Sequence, residues 1–339
     1  MMTGGRRKEV IVVTGASAGI GRATVREFAR RGADIGLIAR GIDGLEAAKR
    51  EVEAIGGRAL VLRADVTDLA QVEAAAARVE QELGPIDVWV NNAFAGIFSR
   101  FVDTTPEEFR RVTEVTYFGQ VHGTRVALSR MRPRNRGSIV LVGSALAYRG
   151  IPLQSAYCGA KHALQGFQDS VRSELLYEKS GINLVMVQLP GVNTPQFDWI
   201  RTRVPGNPKP MGPVYQPEVA ARAIWFAAHS RRKEIVVGAP ALKAVVGDKL
   251  ASGLLDHYLA RTSVEGQQSP TEMQSGGPDN LFDPLSGDHG AHGRFDAVAR
   301  THAPQLWATT HRMSLAIVGA IFTLGAAAVL TRWSRTRRP

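Results

Sequence analysis

Short apolar segments alternate with amphipathic segments through residues 8–260, and this alternation constrains the fold more than any other feature. Apolar runs bounded by turn residues are typical of strands that are buried on both faces of a sheet. Strands and helices in strict alternation indicate a parallel sheet with helices on both sides. The sequence therefore predicts an α/β fold, a doubly wound parallel sheet in a single domain, with strands at residues 10–14, 34–39, 59–62, 88–90, 138–142, 183–188 and 234–237.

A glycine-rich turn joins the first predicted strand to the first predicted helix, and residues 14–21 read Thr-Gly-Ala-Ser-Ala-Gly-Ile-Gly. Glycine lets the backbone turn tightly and approach a pyrophosphate, which the N-terminus of the following helix then faces. The second strand ends at Arg40, with no acidic residue beside it. An acid at this point would bind the ribose 2′-hydroxyl of NAD, whereas an arginine suits the 2′-phosphate of NADP. These features predict a Rossmann-like dinucleotide site that prefers NADP(H) over NAD(H).

Tyr157 and Lys161 are four residues apart in a predicted helix, so they share one face of it. The unperturbed pKa of a phenol is about 10, and a nearby positive charge favours its ionised form. The pair can therefore exchange protons with a substrate, although the same spacing also occurs in surface helices. Ser144 lies just past the predicted strand 138–142, at the carboxyl edge where open parallel sheets bind ligands.

Four motifs occur in a characteristic order: Gly15-x-x-x-Gly19-x-Gly21, then Asn91-Asn92-Ala93, then Ser144, and then Tyr157-x-x-x-Lys161. With these motifs the chain resembles the compact, single-domain branch of the short-chain dehydrogenase/reductase family, over about residues 8–260. The resemblance implies an oxidoreductase that interconverts a carbonyl and an alcohol on a small molecule. It implies that Tyr157 gives or takes the proton, that Ser144 polarises the substrate oxygen, and that Lys161 binds the nicotinamide ribose and lowers the pKa of Tyr157.

The resemblance also implies the cofactor contacts. They would be Gly15, Ser17, Gly19, Ile20 and Gly21 in the glycine loop, Arg40, Asp65 and Val66 at the adenosine end, Asn92 and Ala93 along the cleft, and Pro190, Gly191 and Thr194 with Tyr157 and Lys161 at the nicotinamide end.

Two positions depart from the family pattern. Phe94 follows Asn91-Asn92-Ala93 where the family usually has a glycine. Thr116 stands where the family often has an asparagine that holds a water in a proton relay. A hydroxyl can bond a water, but it lacks the two donors of an amide. Either Thr116 serves a modified relay, or another group carries the relay.

Two other functions compete with this interpretation. The first is a non-catalytic NADP-binding or scaffold protein that keeps the fold, which Thr116 favours and the complete Ser144, Tyr157 and Lys161 set disfavours. The second is an epimerase or dehydratase of the extended branch, which would need a different glycine spacing and a larger substrate domain.

Residues 196–215 are expected to cover a substrate that is lipophilic, and Phe197, Trp199 and Ile200 in this segment either line an apolar pocket or serve ordinary packing.

The C-terminal part changes character. Residues 262–311 are rich in Gly, Ser, Pro and Asp and predict a polar, flexible linker. Residues 313–330 carry no charge over 18 positions, which is about 27 Å as a helix and just enough to cross a membrane. Arg312 and Arg332 flank this segment, and Trp333 lies at its boundary within a basic tail at 331–339. We expect a membrane helix that either spans the bilayer or lies in its interface, with the catalytic domain in the cytoplasm because no signal peptide is evident.

Composition narrows the partners further. The formal net charge is +11, with basic residues concentrated at both ends of the chain, which favours anionic lipid head groups over a nucleic-acid groove. The single cysteine, Cys158, excludes an internal disulfide and suits a reducing compartment. His289 and His292 lie near Asp283 and Asp288, but the polar linker around them offers no second ligand cluster, so no metal is expected. A homo-oligomer is possible.

Overall fold

The structure is a computed structural model that describes residues 7–272 and 277–312. The predicted membrane segment at 313–330 and the basic tail lie outside the described residues. Within the ranges that are described, no helix combines the length and the apolar character needed to cross a bilayer.

Seven parallel strands form the main sheet, in the order β10-β7-β6-β4-β1-β2-β3. This arrangement confirms the predicted doubly wound parallel sheet. Two short pairs, β5 with β8 and β9 with β11, lie outside it. The strands are β1 Val10–Thr14, β2 Asp34–Ala39, β3 Ala59–Arg63, β4 Val88–Asn91, β5 Ile97–Phe98, β6 Gly137–Ser144, β7 Ile182–Leu189, β8 Arg201–Thr202, β9 Gly206–Pro208, β10 Glu234–Val236 and β11 Gln268–Glu272.

Helices connect the strands and cover both faces of the sheet. A π-helical turn, Glu114–Phe118, interrupts what the sequence predicts as one helix between residues 106 and 130. The helices are α1 Gly19–Ala29, α2 Ile42–Ala54, α3 Leu69–Glu82, α4 Pro106–Thr113, α5 Gly119–Met131, α6 Ser155–Tyr177, α7 Gln196–Trp199, α8 Pro217–Ala228, α9 Ala239–Gly266 with a kink at Ala251, and α10 Pro304–Thr310.

The alternation of side chains along β1 shows how the two layers are built. Ile11 and Val13 pack into a core with residues of α1, α2 and α8. Val10 and Val12 point to the other face, where they pack with residues of α3, α5 and α6. Both faces of the strands are therefore buried, which leaves the edge at the strand ends as the place where polar groups can reach a ligand.

The C-terminal segment is bound to the domain, in contrast to the flexible linker that the composition predicts. β11 pairs with β9, and residues 277–303 run back across the carboxyl edge of the main sheet. Leu281, Ala291 and Leu306 are buried against three separate parts of the domain. A few widely spaced apolar residues hold this segment, so it has no periodic pattern that a sequence reading could detect.

Arg22 in α1 is buried and links the glycine loop to two other elements. Its guanidinium contacts Glu51 of α2 at 2.8 Å and Asp288 at 3.2 Å. Arg26 also binds Glu51, at 2.6 Å. Burial alone would raise the pKa of Glu51, but the hydrogen bonds and charges of Arg26 and Arg22 overcome this effect and lower the pKa from 4.5 to about 2. Glu51 therefore contributes stability above pH 4.5 that is lost as the pH falls towards 2.

We predict that Glu51→Gln lowers the free energy of unfolding by about 2 kcal/mol near neutral pH, because the hydrogen bonds from Arg22 and Arg26 lose their charged acceptor. The variant should also lose less stability than the wild type as the pH falls through the acidic range. Urea denaturation at a series of pH values measures both effects. Glu53→Gln is the control, since this exposed carboxylate approaches Lys49 only at 3.8 Å. If the free energy of unfolding of Glu51→Gln depended on pH as it does in the wild type, the stabilising role of the ionised Glu51 would be contradicted.

Candidate active site

The three predicted catalytic side chains meet at the carboxyl edge of the sheet. Ser144 is the last residue of β6, and Tyr157 and Lys161 lie in the first two turns of α6. All three line one cavity of about 460 Å³. The Lys161 ammonium nitrogen is 5.5 Å from the centre of the Tyr157 ring. The end of β6 and the start of α6 thus bring Ser144 together with Tyr157 and Lys161, which follow it by 13 and 17 positions in the sequence.

Lys161 is only 2% exposed, and its Nζ donates a hydrogen bond of 2.6 Å to the carbonyl oxygen of Val142. Burial lowers the pKa of Lys161 to about 7. Burial by the surrounding atoms raises the pKa of Tyr157 well above its ordinary value, and the hydrogen bond with Ser144 acts in the opposite direction. The Lys161 ammonium is directed to Val142, and the lowering of the tyrosine pKa by this lysine stays a prediction.

Thr116 lies in the π-helical turn, and its hydroxyl is used by the backbone. It donates to the carbonyl oxygen of Ala95 at 2.9 Å and accepts from the amide of the same residue at 3.0 Å. The side chain therefore fastens the helix to the loop after β4.

Gln120 is a candidate that the sequence reading missed. It follows Thr116 by four positions, and its Nε2 donates to the carbonyl oxygen of Val142 at 3.2 Å, the same oxygen that Lys161 contacts. Its Oε1 is buried and has no hydrogen-bond partner among the described residues. The spacing of four residues after Thr116 is the one signal in the sequence that could have pointed to it.

The glycine loop forms one wall of a second cleft beside the cavity. Gly15 and Gly19 adopt φ values of +66° and +56°, which favour glycine. An ideal Cβ on Gly21 would lie 2.0 Å from the carbonyl oxygen of Gly15, so this contact requires glycine. Predicted cofactor residues that line the cleft are Gly15, Ser17, Gly19, Ile20, Arg40, Asp65, Val66, Asn92, Ala93 and Thr194, while Pro190 and Gly191 line the catalytic cavity.

Side chains at the strand ends hold the cleft in shape. The Thr14 hydroxyl accepts hydrogen bonds from the amides of Asn92 and Ala93, at 2.9 and 3.1 Å. The Asn92 side chain in turn donates to the Thr14 carbonyl oxygen at 3.0 Å. The Asp65 carboxylate binds Arg111 at 2.6 Å. Arg111 is a charged residue at the adenosine end that the sequence reading did not identify.

Arg40 lies at the end of β2 beside this cleft, as the sequence predicts, but its guanidinium already has partners. It donates to the backbone carbonyl oxygens of Asn280 and Phe282 in the C-terminal segment. Burial and the charge of Arg111 lower the pKa of Arg40. Clefts of this kind can hold a dinucleotide phosphate when a cationic group and the N-terminus of a helix face it.

The walls of the catalytic cavity are mainly apolar. Phe197 and Ile200 line it, whereas Trp199 lines the cofactor cleft, where its ring lies 4.4 Å from that of His289. The ring of Phe94 contacts Tyr157 edge-on at 5.8 Å, so the departure at Phe94 adds a wall to the cavity. Further lining residues are Phe98, Leu146, Met211, Leu255, Tyr258 and Leu259.

The histidines in the C-terminal segment have other partners. His292 contacts Asp296 and Glu218, each at 2.8 Å. Across residues 7–272 and 277–312, no group of three His, Cys, Asp or Glu side chains has the arrangement of a metal site.

Comparison with known proteins identifies the class. The family model described as short chain dehydrogenase matches residues 9–204. The uncharacterized oxidoreductase YxnA of Bacillus subtilis is 30% identical over 287 residues, which is 84% of this chain and 80% of that protein. The chain belongs to the short-chain dehydrogenase family and is an oxidoreductase of that family.

Two further comparisons bear on the site. The 3-dehydrosphinganine reductase of Danio rerio is 34% identical over 192 residues, covering 55% of this chain and 57% of that protein. The crystal structure of a metagenomic short-chain oxidoreductase in complex with NADP has a TM-score of 0.57 and 28% identity, covering 68% of this chain and 96% of that one.

We predict that Gly21→Ala weakens NAD(P)H binding by about tenfold, because the added methyl group displaces the loop at Gly15 and Asn92. Fluorescence titration with the reduced cofactor measures the affinity. Gly166→Ala on α6 is the matched control, since apart from its chain neighbours and the backbone of its own helix no described atom lies within 4 Å of the added Cβ. Equal affinities in the two variants would show that the loop does not form the cofactor site.

Proposed function

We propose that this protein is an NADP(H)-dependent oxidoreductase that interconverts a carbonyl and an alcohol on a lipophilic small molecule. The observation that carries the proposal is the junction between the cleft and the cavity. Ile20, Asn92, Phe94 and Thr194 line both spaces, and Ser144, Tyr157 and Lys161 line the cavity. A cofactor in the cleft and a substrate in the cavity would therefore meet at these residues.

Each catalytic residue has a role that its environment supports. The dinucleotide, when bound, supplies or accepts the hydride. Tyr157 gives a proton to the carbonyl oxygen in reduction, and its raised pKa keeps the phenol protonated at neutral pH. Ser144 donates a hydrogen bond to the same substrate oxygen and so polarises the carbonyl. Lys161 would bind the nicotinamide ribose and provide positive charge near the phenol as the proton leaves.

The preference for NADP(H) rests on the charges at the end of β2. Arg40 is the residue after this strand, and Arg111 lies beside it at the adenosine end. A guanidinium presents five donors and matches phosphate oxygens well. The metagenomic relative was crystallised with NADP, which supports the same cofactor here.

The apolar walls of the cavity favour a lipophilic substrate, because they replace water around an alkyl or ring system. Five of the apolar residues that line the cavity are Phe94, Phe98, Phe197, Ile200 and Leu259. The similarity to a protein named 3-dehydrosphinganine reductase supports reduction of a carbonyl on such a molecule.

The alternative is a protein that binds NADP(H) without turnover. Thr116 is the observation that favours it, because its hydroxyl is already bonded to the backbone of Ala95. We propose instead that Gln120 takes over the relay position, since its buried Oε1 is free to accept a hydrogen bond beside Lys161. Membrane attachment through residues 313–330, a cytoplasmic catalytic domain and a homo-oligomer stay predictions from the sequence.

We predict that Tyr157→Phe lowers carbonyl reduction about a hundredfold to ten-thousandfold, because the proton donor is lost, while NADPH affinity is kept. The assay follows NADPH oxidation with a panel of lipophilic ketones and aldehydes. Tyr177→Phe is the control, a change to an exposed tyrosine of the same helix. A variant that reduces any of these substrates at nearly the wild-type rate would refute the proposed function.

We predict opposite pH effects for two substitutions of Gln120. Gln120→Leu removes a polar neighbour of the Lys161 ammonium, so the pKa of Lys161 falls. The alkaline limb of the activity profile should therefore move to lower pH. Gln120→Glu adds a negative charge and should move the same limb to higher pH. The pH profile of kcat tests both variants. Shifts in the same direction, or no shift, would show that Gln120 only supports packing.

A further inference from the structure

A short part of the C-terminal segment, residues 279–293, crosses the mouth of the cofactor cleft; we call it the C-terminal clasp. Its two buried side chains lie near its ends. Leu281 packs with Val66 and Val115 at the adenosine end. Ala291 packs with Ala23 and Ala221, between α1 and α8. The residues between these two apolar anchors are mostly exposed.

Polar contacts attach the clasp to the rim of the cleft. Arg40 at the end of β2 donates to the carbonyl oxygens of Asn280 and Phe282. The amide of Gly287 donates to the Asp43 carboxylate of α2 at 2.6 Å. The other contacts lie at the glycine loop, where the Gly19 amide donates to the Gly290 carbonyl oxygen at 3.0 Å and Arg22 binds Asp288 at 3.2 Å.

The clasp leaves a space beneath it and forms the outer wall of that space. Residues of the clasp that line the cleft are Asn280, Pro284, Leu285, Gly287 and His289. The backbone at Gly293 reaches the nicotinamide end, since an ideal Cβ there would lie 2.3 Å from the carbonyl oxygen of Thr194. The clasp therefore runs along the cleft from Arg40, past its contact with Gly19 of the glycine loop, to Thr194.

We propose that the C-terminal clasp is part of the cofactor site and retains bound NADP(H), so that the cofactor exchanges when the clasp lifts. This inference rests on the proposed use of NADP(H). Segments with few buried contacts open at a lower free energy than the core, and the clasp between its anchors is such a segment. Arg40 links the two events, because its guanidinium holds the clasp and also lies where the 2′-phosphate would be selected.

A disulfide staple tests the proposal directly. An ideal Cβ on Gly41 would lie 3.4 Å from the Cβ of Pro284, close to the separation of about 3.8 Å in disulfides. Gly41→Cys with Pro284→Cys should therefore form a staple under oxidised glutathione, which alkylation and mass measurement detect. The native Cys158 is buried.

The expected result is that the staple forms in protein already loaded with NADPH and slows NADPH release at least about tenfold, measured by fluorescence after gel filtration. Dithiothreitol should reduce the staple and restore the faster NADPH release, so the reduced variant serves as the reference for the stapled one. If the staple forms only without NADPH, or expels it, the clasp competes with the cofactor and the proposal is wrong.

A second variant keeps the test independent of the staple. Asp43→Ala with Asp288→Ala removes two anchors whose side chains do not line the cleft, and should speed NADPH release about tenfold. Glu53→Ala with Glu73→Ala removes two exposed carboxylates from α2 and α3 as the control. Equal release rates in the two double variants would overturn the clasp, whereas a wild-type protein that binds NADH but not NADPH would instead overturn the proposed cofactor preference.

Discussion

Burial of both sheet faces is the constraint from which the site follows. Every strand of the main sheet runs in the same direction, and helices pack on both sides. Polar side chains on these strands can therefore reach a ligand only where the strands end. Ser144 is the last residue of β6 and lines the cavity, and Asn92 directly follows β4 and lines both spaces. The proposed cofactor cleft and the proposed catalytic cavity lie side by side along this edge and share Ile20, Asn92, Phe94 and Thr194.

At that edge, one carbonyl group accepts hydrogen bonds from two residues of the proposed catalytic site. The oxygen of Val142 in β6 accepts hydrogen bonds from both Lys161 and Gln120. It thereby fixes α6 and α5 relative to the strand that carries Ser144. The lysine is buried, so its pKa is lowered to about 7, while burial raises that of Tyr157. A raised pKa keeps the phenol protonated, as the proposed role of Tyr157 as proton donor requires.

The sequence predicts those parts of the molecule whose signals are local. The strands appear as apolar runs, the glycine loop as a spacing, and Tyr157 with Lys161 as neighbours on one helix turn. Contacts between distant segments leave no such signal. Gln120 reaches Val142 across 22 positions, and Arg40 reaches Asn280 across 240. Leu281 and Ala291 are ten positions apart in a mostly polar segment, so the composition predicts a flexible linker where the structure has packed chain.

Arg40 shows how a local reading of the sequence can be incomplete. Its position after β2 indicates a cofactor with a 2′-phosphate, and nothing near it in the sequence suggests a second role. A guanidinium, however, carries five donors in a rigid plane, so it can bind backbone carbonyl oxygens along one edge and retain donors for a phosphate. A lysine in this position would supply charge but not the two-sided geometry. The arginine after β2 would therefore join the proposed selection of the cofactor to the proposed closing of the cleft by a segment 240 residues away.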